Sequence, residues 1–226
     1  MTDYHCHILP RMDDGAKDLE MSLDMIRLMM AQGVDRIVAT PHFYAHREES
    51  VRAFLERRQE AYRQIVDTDW TLPYLHLGAE VAVEQGISRF PGVHQLTLAD
   101  TSYILLELPY APFAHWMLEE IDAVSQRYGL TPVLAHIHRY ARFYTRAQMS
   151  EVLRTDAVLQ FNNEAFRGFQ ERRFVMSLIG KGFPYVLGSD AHNMTSRRPD
   201  WDLLKRKARP DALKRQENLF QSPKSP

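Results

Sequence analysis

A chain of 226 residues, 45% of them hydrophobic, is long enough to bury one sizeable core and favours a single domain. Its 28 Lys and Arg residues balance 29 Asp and Glu residues, which argues against a nucleic-acid backbone or an anionic membrane as its partner. Because Cys6 is the only cysteine, an intramolecular disulfide and a cysteine zinc site are excluded, and any metal would need His, Asp or Glu ligands.

Neither a signal peptide nor a membrane span is predicted. The N-terminus, MTDYHCHILP, lacks a basic region followed by an apolar one, and no apolar run approaches the roughly 20 residues that crossing a bilayer requires. We therefore expect a cytoplasmic protein that neither inserts into membranes nor binds nucleic acid.

Short apolar segments alternate along the chain with segments of helical periodicity, which is typical of a parallel α/β fold. Strands are predicted at 2–7, 35–41, 74–80, 102–107, 131–136, 157–162 and 185–190. Helices are predicted between them at 18–32, 47–66, 114–128, 145–154 and 170–180. After about residue 199 the chain turns polar, and a domain spanning 1–210 is predicted to precede a polar C-terminal tail at 211–226, with a frayed end, QSPKSP.

Residue types that bind metals stand at the ends of nearly all the predicted strands. They are His5, His7, His42, Glu80, Glu107, His136, Asp190 and His192. In (β/α) barrels the reactive groups lie at the C-terminal ends of the strands, so these side chains are expected on one rim. The strand period of two places His5 and His7 on one face and turns Cys6 away from them. One carboxylate of the DDG turn at 13–15 would be free to reach the same rim.

Taken singly, each of these residues would be interpreted as a hydrogen-bonded structural residue. His46, His94 and His115 are predicted to lie on the surface, and His76 to be structural. Taken together, so many charges on one rim would be costly without cations, and imidazole and carboxylate ligands suit manganese, iron or zinc. The sequence therefore predicts a cluster of divalent ions.

Several segments carry a resemblance to a known family. They are DYHCHILPRMDDGA at the N-terminus, ATPH at 39–42, GAE at 78–80, ILLEL at 104–108, LAHIHRY at 134–140 and GSDAHN at 188–193. In combination they resemble the polymerase-and-histidinol-phosphatase (PHP) superfamily, and within it the metal-dependent tyrosine-protein phosphatases of bacterial capsule and exopolysaccharide loci. The resemblance covers about residues 1–200 and implies a distorted (β/α)7 TIM-like barrel of the PHP type.

The same resemblance implies three divalent metal ions and a distribution of ligands among them. The three ligand sets would be His5, His7, Glu80 and Asp190; Glu80, Glu107 and His136; and Asp14, His42 and His192. Glu80 would bridge the first two ions. Arg139 and Arg197 match the arginines that contact phosphate in the family.

Three features depart from the family pattern. His138 stands where the family commonly has Glu, and Arg11 replaces a frequent Gly. The helical region after Arg197 is shorter than usual. None of the three removes a ligand, but the first changes the surroundings of Arg139 and the last leaves homo-oligomerisation open.

The resemblance implies hydrolysis of a phosphate monoester, with metal-activated hydroxide attacking phosphorus. The expected substrate is the phosphotyrosine of an autophosphorylating bacterial tyrosine kinase that regulates capsule or exopolysaccharide synthesis. Aromatic residues between the site segments could pack internally or form a slot for the phenyl ring: Phe43, Tyr44, Tyr110, Tyr140, Phe143, Tyr144 and Phe166. His138 and His42 are candidates for a general acid.

Two alternatives stay open at this point. One is a small-molecule phosphatase of the same superfamily that acts on a substrate like histidinol phosphate. The other is a non-catalytic metal-binding partner of a membrane kinase, which would not turn over a chromogenic aryl phosphate.

Overall fold

The computed structural model describes residues 1–208 and 210–220 and shows a mixed α/β fold with parallel sheets. The strands are β1 Thr2–Cys6, β2 Arg36–Ala39, β3 His42–Phe43, β4 Tyr74–Leu77, β5 Glu80–Ala82, β6 Tyr103–Glu107, β7 Thr131–Leu134, β8 Val158–Asn162 and β9 Tyr185–Gly188. The α-helices are α1 Leu19–Ala31, α2 Val51–Val66, α3 His115–Tyr128, α4 Arg146–Val152, α5 Phe169–Gly180, α6 Trp201–Lys207 and α7 Pro210–Lys214. Every helix of the described chain falls short of the length and apolar character needed to cross a membrane.

The strands form two sheets in which neighbouring strands are parallel. One sheet has the order β1-β2-β4 and the other the order β3-β5-β6-β7-β8-β9. A parallel bridge between Cys6 and Ala191 joins the end of β1 to the segment after β9. The two sheets also adjoin where the chain passes from β2 to β3 and from β4 to β5. β2 pairs with β4 in the first sheet, and β3 pairs with β5 in the second.

The predicted strands at 35–41 and 74–80 are both shorter in the structure. The first corresponds to β2 alone, because the chain breaks at Thr40 and Pro41 and β3, which follows the break, was not predicted. The second contains β4 and only the first residue of β5, with a break at Gly78 and Ala79. Pro41 has no N–H for a ladder, which accounts for the break in the first. At Gly78 an added Cβ would lie 2.7 Å from Leu98 Cδ2, so the backbone approaches its neighbour closely there.

The five predicted helices are present with small differences at their ends. α2 begins at Val51 rather than at 47, because the Ser50 hydroxyl accepts a hydrogen bond from Ala53 N (3.1 Å) and caps the helix there. α6 and α7 were not predicted, since the chain is polar where they form. α6 nevertheless has a buried apolar face formed by Trp201, Leu203 and Leu204, and its Lys and Arg residues are in the last turn.

Alternate side chains of the strands enter two different cores. In β6, Ile104 and Leu106 belong to the larger core that packs against the helices, whereas Leu105 belongs to a smaller one. The smaller core collects residues from strands of both sheets: Tyr4, Val38, Leu105, Val133, Val158 and Val186. The two sheets therefore face a common interior, which positions the ends of their strands around one site.

A buried carboxylate connects the two ends of the chain. Asp3 Oδ1 accepts hydrogen bonds from Ser189 N (2.9 Å) and His5 N (3.2 Å), and Trp201 Nε1 donates to Asp3 Oδ2 (3.1 Å). Both Asp3 and Trp201 are fully buried. β1 is thus fastened to the segment after β9 and to α6.

The segment up to residue 220 packs against the first sheet, although the sequence assigns 211–226 to a tail. Leu219 enters the smaller core, and its N–H donates to the Tyr4 hydroxyl (3.3 Å). Phe220 stacks on Tyr4 and lies 4.6 Å from the ring of His76. Contacts therefore cross the boundary predicted at residue 210. The predicted frayed end, QSPKSP, lies outside the described residues.

Candidate metal centre

The nine predicted ligands meet at one end of the sheets, although they come from segments far apart in the chain. β1 and the turns after it supply His5, His7 and Asp14; β3, β5 and β6 supply His42, Glu80 and Glu107; the segments after β7 and β9 supply His136, Asp190 and His192. Except for His42, Glu107 and Asp14, which are in part open to solvent, these side chains are buried.

The first predicted set forms a closed group of four buried side chains. His5 Nε2 lies 3.0 Å from Glu80 Oε2 and 3.5 Å from Asp190 Oδ1. His7 Nε2 lies 3.2 Å from Glu80 Oε2 and 3.4 Å from Asp190 Oδ1. All four ligand atoms lie within 4.8 Å of one another, close enough for one cation.

The second predicted set is joined by a histidine from the third. His136 Nε2 lies 3.0 Å from Glu80 Oε1 and 3.4 Å from Glu107 Oε1, as the sequence predicts. His42 Nδ1 lies 3.2 Å from Glu80 Oε2 and 3.7 Å from Glu107 Oε2. The ring of His42 therefore faces two groups of ligands, one with each nitrogen.

The third predicted set surrounds Asp14 at the open side of the site. Asp14 Oδ1 lies 3.4 Å from His192 Nε2 and 3.6 Å from His42 Nε2. His7 also lies within reach of this group, so it stands between the first set and the third.

The chemistry of this donor set fits divalent cations. Glu80 Oε2, His42 Nδ1 and His192 Nε2 are buried and make no hydrogen bond of suitable geometry in the described part of the chain, although Glu80 Oε2 lies 3.0 to 3.2 Å from three imidazole nitrogens. The Nε2 atoms of His5 and His7 lie only 3.2 Å apart. Buried polar atoms of this kind are costly unless something satisfies them, and a cation would satisfy carboxylate oxygens and imidazole nitrogens alike.

The pKa values of the buried groups show how strongly they interact. Burial alone would raise the pKa of Asp190, but the charge of His5, a hydrogen bond from His7 and the charge of Arg139 hold that pKa well below 3.8. Burial would likewise raise the pKa of Glu80, but His5 and a hydrogen bond from His136 hold it well below 4.5. Although burial lowers the pKa of His136, hydrogen bonds to Glu107 and Glu80 raise it to about 9. The imidazole of His136 therefore carries a proton at neutral pH, and binding of a divalent cation would release that proton.

Three residues that orient the ligands were not recognised in the sequence. Asp13 Oδ2 lies 2.6 Å from His7 Nδ1 and accepts a hydrogen bond from His42 N (2.8 Å). Gln160 Oε1 lies 3.1 Å from His5 Nδ1 and accepts from His136 N (2.6 Å). Gln160 and Asn162, which donates to Asp190 Oδ2 (2.9 Å), are the polar residues of the buried strand β8, and that signal could have identified them.

Arg139 and Arg197 both reach the centre through Asp190. Arg139 Nη2 donates to Asp190 Oδ2 (2.6 Å), and Arg139 Nε donates to Glu164 Oε1 (2.7 Å). Arg197 Nη2 donates to both oxygens of Asp190, at 2.9 and 2.8 Å. The two guanidinium groups therefore lie side by side at the edge of the ligand cluster.

The departures from the family pattern have structural counterparts. Arg11 has φ 59°, in the left-handed region where glycine is more readily accommodated. His138 is buried, and its Nε2 lies 3.8 Å from Glu164 Oε1. The carboxylate beside Arg139 is thus supplied by Glu164 rather than by position 138.

Only part of the predicted aromatic slot is accessible to a substrate. Phe43, Tyr140, Tyr144 and Phe166 are buried and pack internally. Tyr110 and Phe143 are exposed, and Tyr44 stacks on His42 with ring centroids 5.1 Å apart. His46, His94 and His115 lie on the surface as predicted, and His76 lies away from the ligand cluster.

Replacing Gly188 with alanine is expected to destabilise the fold and to disturb His5. The added Cβ would lie 2.7 Å from His5 Cβ and 2.9 Å from Gln160 Nε2, and overpacking of this kind costs about 1–3 kcal/mol. Denaturant unfolding measures the loss of stability. Gly180→Ala is the control, because a Cβ there meets nothing within 4 Å. Equal stability of the two variants would contradict the close approach.

Comparisons with known proteins agree on one family. The chain matches the family model described as "Capsular polysaccharide synthesis, CpsB/CapC" over residues 1–215. The tyrosine-protein phosphatase YwqE of Bacillus subtilis (strain 168) is 31% identical over 206 residues, covering 87% of this chain and 79% of that protein. The tyrosine-protein phosphatase CpsB of Streptococcus pneumoniae is 27% identical over 216 residues, covering 88% of this chain and 86% of that protein.

The fold is also similar to that of a solved structure. It matches a chain from a study of crystal structures of YwqE from Bacillus subtilis and CpsB from Streptococcus pneumoniae, described there as unique metal-dependent tyrosine phosphatases. The TM-score is 0.74 at 27% identity, and the match covers 100% of this chain and 99% of the other.

Proposed function

This chain belongs to the CpsB/CapC family of capsular polysaccharide synthesis proteins, and we propose that it is a metal-dependent protein-tyrosine phosphatase. The observation that carries the proposal is the buried cluster of imidazoles and carboxylates with two arginines at its edge. A cysteine mechanism has no support, because Cys6 is buried in the larger core and burial raises the pKa of its thiol well above the usual value.

We propose that the nine ligand residues hold three divalent ions of manganese, iron or zinc. The contacts among them support the ligand sets implied by the family resemblance, with Glu80 shared between two sets and His7 within reach of the third. When bound, ions that share a carboxylate supply an acidified water as the nucleophile and neutralise charge on the phosphoryl oxygens.

The protein's own residues would position the reaction. Asp13 and Gln160 fix the rings and backbone of the histidines, which keeps their free nitrogens directed into the centre. Arg139 and Arg197 would hold the phosphoryl oxygens, since a planar guanidinium suits paired hydrogen bonds with phosphate. A phenolate, whose parent phenol has a pKa of about 10, leaves readily. We therefore assign no separate general acid; His42 is a proposed ligand and His138 lies buried beside Glu164.

The two parallel sheets, with a common interior and a bridge from β1 to the segment after β9, support a distorted (β/α)7 barrel of the PHP type. The family's connection with capsule synthesis supports a phosphotyrosine protein as the substrate, namely an autophosphorylating bacterial tyrosine kinase. We propose that the enzyme meets this kinase in the cytoplasm.

Active protein is expected to contain more than one equivalent of transition metal per chain. Chelation should abolish turnover of a chromogenic aryl phosphate, and added manganese should restore it, because the converging carboxylates and imidazoles are ligands of divalent cations. Elemental analysis and activity before and after chelation test this. Active protein that contains no metal would contradict the proposal.

A substrate comparison tests the tyrosine-phosphatase activity itself. We expect kcat/KM for a phosphotyrosine peptide to exceed the values for the matching phosphoserine peptide and for histidinol phosphate. A preference for histidinol phosphate would instead indicate a small-molecule phosphatase. Metal binding without turnover of any of the three would indicate a non-catalytic binding protein.

A further inference from the structure

An open cavity of about 630 Å³ adjoins the metal centre. Its lining includes four arginines and two exposed aromatic side chains: Arg139, Arg142, Arg167, Arg197, Tyr110 and Phe143. Because Arg139 and Arg197 also bind Asp190, the cavity begins at the edge of the metal centre and extends outward from it.

The four arginines of this cavity differ in exposure. The side chains of Arg139 and Arg197 are 20% and 33% exposed, and both are held by the buried carboxylate of Asp190. The side chains of Arg142 and Arg167 are 70% and 64% exposed. The inner pair is therefore fixed at the centre, whereas the outer pair is accessible to a group that lies further out along the substrate.

The outer arginines are available to exchange partners. Arg142 pairs with Glu171, and Arg167 lies 3.5 Å from Asp200. The arginine of each pair is largely exposed, although Glu171 and Asp200 are only 21% and 19% exposed. Solvent therefore screens the pairs from the arginine side, and an anion of the substrate can compete with the carboxylate. The lining of the cavity favours such an anion, since it carries four arginines against two glutamates, Glu164 and Glu171.

The two aromatic side chains line the cavity beside the metal centre. Tyr110 is next to His136, with ring centroids 6.2 Å apart, and meets Phe143 edge to face at 5.7 Å. A phenyl ring whose phosphate is held at the centre can pack against this pair. The residue beside that phosphotyrosine would then reach towards Arg142 and Arg167.

We propose that Arg142 and Arg167 form an outer anion subsite for phosphotyrosine peptides in which a neighbouring residue carries a second negative charge. That charge is a carboxylate or a second phosphate, since a guanidinium recognises both in the same way. The inference rests on the proposed phosphatase function and adds a substrate preference to it.

The test compares kcat/KM for three phosphotyrosine peptides that differ in the flanking residue: neutral, acidic, or a second phosphotyrosine. The unmodified chain should favour both anionic peptides over the neutral one. Arg142→Ala and Arg167→Ala should each lower that preference about two- to fivefold, the size expected for an exposed charge pair. Glu171→Gln should increase it, because Arg142 loses its competing partner. Salt should weaken the preference by screening.

Arg63→Ala is the matched control, because Arg63 lies on α2 with a side chain 61% exposed and an ion pair with Glu60. It should leave the preference unchanged. The two anionic peptides distinguish a carboxylate from a second phosphate. The arginine variants will lower kcat/KM more for the peptide whose anion the subsite prefers. Efficient hydrolysis of all three peptides without preference would overturn the subsite alone. Absence of hydrolysis of any phosphotyrosine peptide would overturn the proposed function and the subsite with it.

Discussion

Replacing Glu80 with alanine is expected to lower kcat at least ~10³-fold and to remove two ions together. The reason is the central position of this carboxylate. Glu80 Oε2 lies 3.0 Å from His5 Nε2 and 3.2 Å from both His7 Nε2 and His42 Nδ1, while Oε1 lies 3.0 Å from His136 Nε2. Elemental analysis combined with steady-state kinetics on an aryl phosphate measures both effects.

Controls separate loss of the carboxylate from loss of the fold. Glu80→Gln keeps the shape of the side chain and should be similarly inactive, because the amide lacks the charge that two cations share. Cys6→Ser changes a buried side chain between the two histidines and should have a milder effect, since Cys6 faces the larger core. Unchanged turnover in Glu80→Ala, or a Cys6→Ser variant as inactive as Glu80→Ala, would show that the proposed chemistry is wrong.

Replacing Arg139 or Arg197 with alanine should lower kcat/KM about 10²- to 10³-fold, equivalent to about 3–4 kcal/mol of transition-state stabilisation. Metal content should stay unchanged, because neither guanidinium can bind a cation and Asp190 would keep its place among the ligands. Inhibition by inorganic phosphate should weaken in parallel, since product and substrate share the group that is held. Kinetics, phosphate inhibition and elemental analysis of each variant test this.

Lysine at either position should rescue only part of the loss. It restores the charge but not the planar guanidinium, whose separate N–H groups can hold two phosphoryl oxygens at once. Arg52→Ala is the control, because Arg52 is an exposed residue of α2 that pairs with Glu56. Wild-type kcat/KM and phosphate inhibition in both alanine variants would show that the metals hold the phosphate alone.

Periodicity and turn residues were sufficient to predict most of the fold. The apolar segments located every strand except the short β3, and the helical pattern located α1 to α5. The break between β2 and β3 could have been predicted from Pro41, but the close approach of Gly78 to Leu98 depends on contacts distant in sequence. For the same reason α6 was missed, since only the packing of Trp201 against the rest of the chain distinguishes it from a polar tail.

The convergence of the ligand side chains could be predicted because strand ends in a parallel fold meet at one edge. Every candidate but Asp14, which lies in the turn after the first strand, was found from its place at the end of a predicted strand. The contacts that orient those ligands could not be predicted in this way. Asp13 binds His7 and the backbone of His42, and Gln160 bridges His5 and the backbone of His136, pairings that exist only after the strands associate. The pairing of both arginines with Asp190 is likewise a property of the assembled site.

The hydrogen bonds of Asp3 to Ser189 and Trp201 have a consequence for synthesis of the protein on the ribosome. These bonds join residues 186 and 198 positions apart, so Asp3 emerges long before these two partners, although β1 can pair with β2 much earlier. Contacts with such large sequence separation form slowly, because the entropy of closing the chain must be overcome first. The ligand cluster cannot be complete until Asp190 and His192 have left the exit tunnel, and we therefore expect metal loading to be one of the last events in the maturation of the chain.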